Sequence, residues 1–225
     1  MNKDAFKKIA LSTNPIVRGI TNALRFPLRY ALFLLLKFRK EAALPKLIHT
    51  IQHERDFMMW PDEMTQIACC MQYAAALDGD VAEVGVSSAG SAKLIAELKG
   101  EKMLHLFDTY EGLPEPGNID KGFLKQQYAC SLESVKTYLS NYHNVVFYKG
   151  LFPSTAVPAQ DMTFAFVHLD VDLYQSTLDG LKFFYPRLVS RGILLSHDYS
   201  TFPGVRKAFD EFFSDKQERI VELAT

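Results

Sequence analysis

The chain has 225 residues, of which 48% are hydrophobic and 23% charged, the make-up of a folded globular protein rather than a disordered or fibrous one. That length fills one substantial core and leaves little for a second domain. A net charge of -1 gives no global pull towards nucleic acid, although nine basic residues against one acidic lie in the first forty.

Residues 18–40 come first among the patterned segments. Their longest apolar run, 30–36, is bounded by Arg29 and Lys37. A spanning helix needs about 20 apolar residues, so this stretch does not cross a bilayer, and it carries no small-residue cleavage site of a secretory signal. Apolar density ringed by Arg25, Arg29, Lys37, Arg39 and Lys40 suits a helix lying on an anionic membrane surface. It suits a lid or a homo-oligomer contact equally well.

Residues 61–77 read as a helix, with Pro61 in its first turn and Asp62 and Glu63 at its positive end. A strand over 81–86, a helix over 91–98 and a strand over 103–107 follow. A polar loop then leads to a helix over 123–139 and a third strand over 145–148. Strand 164–169, helix 176–185, strand 192–196 and helix 205–213 complete the alternation, with a sixth strand expected at 220–223. Short apolar strands alternating with helices predict an α/β fold: a doubly wound, mostly parallel sheet with helices on both faces. The expected partition is an N-terminal helical extension over 1–60 and one domain over 61–225. Three cysteines, with Cys69 and Cys70 adjacent, form neither a disulfide framework nor a zinc spacing. They point to reduced thiols in the cytoplasm.

In such a sheet ligands bind beyond the carboxyl ends of the strands. Here those ends carry acids: Glu83 in the first strand, Asp108 closing the second, Asp170 and Asp172 the fourth, and His197 and Asp198 the fifth. Buried carboxylates are unfavourable unless paired, so their convergence points to a ligand or a metal. The turn Glu83-Val-Gly85-Val-Ser-Ser-Ala-Gly90-Ser91 has glycines for close backbone approach and a serine to start a helix. Its glycine spacing differs from the dinucleotide fingerprint. An acid at Glu83 repels a pyrophosphate and attracts an amine or sulfonium, and Asp108 is placed to accept from a ribose. A nicotinamide-dependent dehydrogenase is therefore set aside. His168, Asp170 and Asp172, with His197 and Asp198, could gather around one divalent ion of the magnesium or manganese kind, unless His168 merely bonds inside the sheet.

With these residues in place, the chain resembles the macrocin O-methyltransferase family. The resemblance runs through Val81-Ala-Glu-Val-Gly-Val-Ser-Ser-Ala-Gly-Ser91, Phe107-Asp-Thr-Tyr-Glu-Gly-Leu-Pro114 and Lys149-Gly-Leu-Phe152. It continues through His168-Leu-Asp-Val-Asp-Leu-Tyr-Gln-Ser176, Tyr185-Pro-Arg-Leu188, Gly192-Ile-Leu-Leu-Ser-His-Asp-Tyr199 and Gly204-Val-Arg-Lys-Ala208. It implies a Rossmann-like domain, S-adenosylmethionine as methyl donor, and magnesium-assisted methylation of a sugar hydroxyl in natural product biosynthesis. On that pattern Glu83, Gly85 and Ser91 frame the methionine part of the cofactor, Asp108 binds its ribose, and Lys149 and Gly150 border the adenine. Asp170, His197 and Asp198 are the metal and catalytic positions, with Asp170 also bordering the cofactor.

Three departures separate the chain from this pattern. The family carries two consecutive aspartates where His197-Asp198 stands, which weakens magnesium relative to softer ions. No histidine stands between Pro114 and Asn141 to act as the loop base, and the final antiparallel strand is expected to be missing. Two alternatives follow: a metal-independent methyltransferase of another hydroxylated small molecule or lipid-linked glycan with His197 as base, and a partner-binding protein that keeps the fold without catalysis.

Overall fold

A computed structural model describes residues 43–223. The segment 18–40, expected at a membrane or a protein interface, lies outside the described residues. Helices α1 (Ala43–Glu54) and α2 (Pro61–Ala74) precede β1 (Asp80–Val84), α3 (Gly90–Leu98), β2 (Leu104–Asp108), α4 (Leu132–Tyr138) and β3 (Val145–Lys149). A 3-10 turn (Ser154–Ala159) leads to β4 (Phe164–Leu169), α5 (Tyr174–Phe184), β5 (Leu188–Ser196) and α6 (Pro203–Phe213). Among the described residues no helix is long and apolar enough to cross a membrane.

The strands form one five-stranded sheet in the order β3-β2-β1-β4-β5, and every neighbouring pair is parallel. Parallel strands need crossovers, and the helices that make them cover both faces. The interior strand β4 is therefore buried along its whole length, whereas the edge strand β3 is only part-buried. One face packs Val81, Leu104, Leu106 and Phe166 against α1, α2 and α3, and the fully buried Ile48 and Ile51 of α1 belong to this layer. The other is aromatic, with Phe107, Phe152, Phe164 and Phe184 in contact, and α5 and α6 close it. The chain order reverses between β1 and β4, the switch point where a crevice opens beyond the strand ends.

Local chemistry sets the helix starts. Pro61 opens α2, and the Glu63 carboxylate accepts from the Trp60 N–H at 2.6 Å. The expected helix over 123–139 is shorter than the pattern suggests. Gln126 and Tyr128 have φ of 65° and 62°, and the chain becomes helical only after Ser131, whose hydroxyl accepts from the Ser134 N–H at 3.2 Å. The apolar residues behind that expectation serve a loop beside the crevice instead. Residues 220–223 form no strand: Ile220 packs on the aromatic layer, and Glu222 accepts from Arg206 and Ser200 at 2.9 Å each. Among the described residues the sheet ends on β5.

Candidate functional site

A cavity of about 300 Å³ opens beyond the carboxyl ends of the strands. Its lining brings together Gly85, Ser91, Asp108, Gly150, Asp170, Asp172, His197 and Asp198, with an apolar wall from Phe57, Trp60, Leu113, Phe152 and Phe202. The turn after β1 is pressed onto the end of β4. Gly85 has φ +86°, and a Cβ there would stand 1.7 Å from the Asp170 carbonyl oxygen. Only a residue without a side chain permits that approach. Ser91 is 5% exposed and lies in the first turn of α3, one residue after the helix begins at Gly90. The left-handed Ala89 makes the cap that Ser91 was expected to make. Gly90 serves packing, because a Cβ would stand 2.6 Å from the Phe57 ring.

Glu83 lies under the floor of the cavity and does not line it. It is fully buried and faces His168 across the β1–β4 pair, with Oε1 2.8 Å from His168 Nδ1. Burial pushes the Glu83 carboxyl up, and the bond to His168 opposes the shift. His168 is thus a sheet-interior partner and no member of the acid cluster above it, because their register holds the two side chains together. Glu83 Oε2 has no hydrogen-bond partner among the described residues. An unpartnered buried carboxylate oxygen beneath the Gly85 turn fits a cationic amine on the far side of that turn.

The Asp108 carboxylate ties the end of β2 to this turn. Oδ2 accepts from the Val86 and Ser87 N–H groups at 2.6 and 3.1 Å, and Oδ1 from the Tyr110 N–H at 2.6 Å. It sits where a ribose acceptor was expected, with most of its acceptor capacity already used by backbone. Gly150 and Leu151 line the cavity, whereas the Lys149 ammonium is 3.1 Å from Glu111 and does not. Of the expected pair Lys149 and Gly150, the structure thus brings Gly150 into the lining, while the ion pair with Glu111 turns the Lys149 side chain outside it.

The densest chemistry lies at the ends of β4 and β5. His197 Nδ1 is 3.0 Å from Asp198 Oδ1 and 3.5 Å from Asp170 Oδ1, and Nε2 is 3.3 Å from Glu63 Oε2. One ligand atom from each of Asp170, His197 and Asp198 falls within 4.8 Å of the others. Burial disfavours the imidazolium, but the charge of Asp170 and bonds to Asp170, Asp198 and Glu63 raise His197 far above the ordinary histidine range. Burial likewise opposes ionisation of Asp170, yet His197 holds that carboxyl down to about 2. Asp198 is pushed up to about 6 by burial, and its buried Oδ2 has no hydrogen-bond partner among the described residues. Asp172 is pushed up to about 8 by burial and by the charges of Asp170 and Asp198.

A proton and a divalent cation are alternatives for this cluster. Each neutralises carboxylates that otherwise repel one another. The donor set of two carboxylates and an imidazole fits a divalent ion once His197 gives up its proton.

Asp172 has φ +59°, so the extended strand does not continue through it; it still reaches the cavity wall. It makes no hydrogen bond or ion pair there among the described residues, whereas Asp170 and Asp198 both pair with His197. Glu63 was legible only as an acid in the first turn of α2. Its second role beside His197 depends on α2 crossing the end of β5. Trp60 and Tyr128, also in the lining, carried no signal beyond their polarity pattern.

The family model described as macrocin-O-methyltransferase matches residues 45–222. The chain is 29% identical over 153 residues to the demethyldecarbamoylnovobiocin O-methyltransferase of Streptomyces niveus, an alignment covering 60% of this chain and 58% of that protein. It is 27% identical over 175 residues to the 8-demethyl-8-(2,3-dimethoxy-alpha-L-rhamnosyl)-tetracenomycin-C 4'-O-methyltransferase of Streptomyces olivaceus, covering 69% and 64%. The chain thus spans about three fifths of the length of these relatives. The solved structure of the O-methyltransferase NovP superposes with a TM-score of 0.62 at 26% identity, covering 70% of this chain and 73% of that one. With a family model matched across the whole sheet and every strand end that builds the cavity, the chain belongs to the macrocin O-methyltransferase family.

Proposed function

We propose that the chain is an S-adenosylmethionine-dependent O-methyltransferase acting on a hydroxyl of a sugar or glycosylated small molecule in natural product biosynthesis. The observation that carries this reading is the single cavity in which the Gly85 turn and the Asp170, Asp172, His197 and Asp198 cluster meet. The two Streptomyces relatives are named for O-methylation, one of them on a rhamnosyl tetracenomycin.

In this reading Gly85 and Ser91 frame the methionine end of the cofactor, Glu83 attracts its amine through the turn, and Asp108 and Gly150 border the nucleoside. S-adenosylmethionine supplies an electrophilic methyl carbon, and a divalent ion, magnesium or manganese, lowers the pKa of the acceptor hydroxyl. Asp170, His197 and Asp198 would hold that ion. Asp172, on the wall and free of hydrogen bonds, is the candidate base: with its carboxyl pushed up to about 8, it takes the hydroxyl proton in the ionised fraction, which grows as pH rises towards 8. The apolar wall from Phe57, Trp60 and Phe202 excludes water, and alignment of the acceptor oxygen then does most of the remaining work.

A second reading is metal-independent transfer. Its support is the pull of Asp170, Asp198 and Glu63 on His197, which favours an imidazolium among the acids that a metal would otherwise join. That pull also disfavours His197 as the base, because Nε2 bonds Glu63 at 3.3 Å while Nδ1 lies against Asp198 and Asp170. The exposed or part-exposed free thiols of Cys69, Cys70 and Cys130 support a reducing, cytoplasmic setting.

Calorimetric titration with S-adenosylmethionine and S-adenosylhomocysteine tests the cofactor half; binding of neither sinks the reading. Methyl transfer to a panel of glycosides, followed by mass spectrometry with and without chelator, tests the acceptor half. Full activity in chelator selects the metal-independent form.

A further inference from the structure

Residues 113–127 form a closed loop beside the cavity. Leu113 N donates to Gln127 O at 2.9 Å and Gln126 N donates to Leu113 O at 2.9 Å, which pinches the neck. Leu113, Pro114 and Gln127 of this loop line the cavity, and so does Tyr128 next to it. Beyond the neck the loop is polar and mostly exposed, with one exception. Asp120 is only 6% exposed.

The Asp120 carboxylate joins three pieces of chain. Oδ2 accepts from the Gly117 N–H at 3.1 Å, closing a turn that the Asp120 N–H completes on the Gly117 carbonyl at 3.0 Å. Oδ1 accepts from the Tyr174 N–H at 2.9 Å, the first residue of α5 and two positions after Asp172. Gly204, in the first turn of α6, faces the same oxygen: a Cβ there would stand 2.2 Å from Oδ1. A negative group is favoured at the unsatisfied N–H groups that begin helices, and here it meets two such starts. Nearby, the Phe123 ring meets the Phe202 ring edge-on at 4.8 Å, and Phe202 belongs to the cavity wall.

We infer that Asp120 is a positioning residue that latches the 113–127 loop onto the starts of α5 and α6, and so fixes the acceptor side of the cavity. Its bonds reach the segment carrying Asp170 and Asp172 from the acceptor side and do not reach the 85–91 turn. Loss of the latch therefore acts on acceptor binding and leaves the cofactor side in place. The inference rests on the methyltransferase reading for the word acceptor, but the latch itself is a statement about the loop.

The test compares Asp120→Ala, Asp120→Asn and Phe123→Ala with the parent protein. Three quantities are read: the rate of limited proteolysis within 113–127, the Kd for S-adenosylhomocysteine, and kcat and KM for a glycoside acceptor. For Asp120→Ala, loss of two charge-assisted bonds is expected to raise the cleavage rate and the acceptor KM about tenfold. The cofactor Kd stays within about twofold. Asp120→Asn falls between, because its amide oxygen still accepts from Tyr174 while its NH₂ cannot accept from Gly117. Phe123→Ala shifts both quantities in the same direction. Unchanged cleavage and unchanged KM in Asp120→Ala overturn the inference, as does an equal loss of cofactor affinity. A parent protein that binds no cofactor defeats the functional reading, and the proteolysis arm still decides the latch.

Discussion

Replacing His197 with aspartate restores the paired carboxylates of the family and removes the cation from the centre of the cluster. Its imidazolium stands 3.0 Å from Asp198, 3.5 Å from Asp170 and 3.3 Å from Glu63, with 18% of its side chain exposed. At an effective dielectric near 20 each contact is worth about 5 kcal/mol gross, most of it offset by desolvation. Breaking a buried ion cluster by removing one partner leaves a net loss of about 3–5 kcal/mol. In a chain of this size that lowers Tm by about 6–20 °C in chelator. Magnesium at a free concentration about a hundredfold above its Kd returns about 2.7 kcal/mol. Thermal unfolding of parent and His197→Asp, in chelator and across a magnesium titration, measures both effects. The variant is expected to melt far lower without metal and to gain more from magnesium than the parent, whose ring must first release a proton. The sign with pH follows the same logic. The His197 contribution in the parent is fully present below about pH 6.5 and persists through neutral pH, since its folded pKa is raised well beyond that. Equal melting of the two proteins in chelator, with neither responding to magnesium, would refute the electrostatic account of the cluster.

Gly85→Ala is expected to weaken cofactor binding at least tenfold in calorimetry and to destabilise the fold by about 2–3 kcal/mol, because the new Cβ meets the Asp170 carbonyl at a left-handed position. Asp172→Asn should lower kcat about a hundredfold or more in the glycoside assay if its carboxylate takes the proton. The same substitution should raise Tm in chelator, and more at pH 8 than at pH 5. Asp172 is raised from near 4 to about 8, so its ionisation works against the fold progressively across that window. A larger gain at pH 5 would contradict the shift. Deleting residues 1–40, with their nine basic residues, is expected to release the protein from anionic liposomes in a sedimentation assay if that segment binds lipid. Unchanged partition removes the membrane proposal.

Much of the architecture was already fixed by local pattern. Runs such as Phe164–Leu169 are apolar but for His168 because helices cover both faces of the sheet, and that burial can be read from composition alone. Strand ends place polar residues beyond the sheet whatever the neighbours are, so Asp108, Asp170, His197 and Asp198 were legible as one crevice.

Partnership across the sheet was left to the tertiary structure. Glu83 and His168 are 85 residues apart and meet only because β1 and β4 are adjacent and in register. Glu63 reaches His197 across 134 residues, and Asp120 reaches Tyr174 across 54. The first part of the helix expected over 123–139 gave way to a loop because its neck bonds and its latch on α5 outweigh a modest local preference, and only Leu132–Tyr138 is helical. Periodicity reports which face of a segment is buried. It carries no information about which distant side chain stands opposite, and that decided whether each acid became a sheet partner, a backbone clamp, a latch or a member of the cluster.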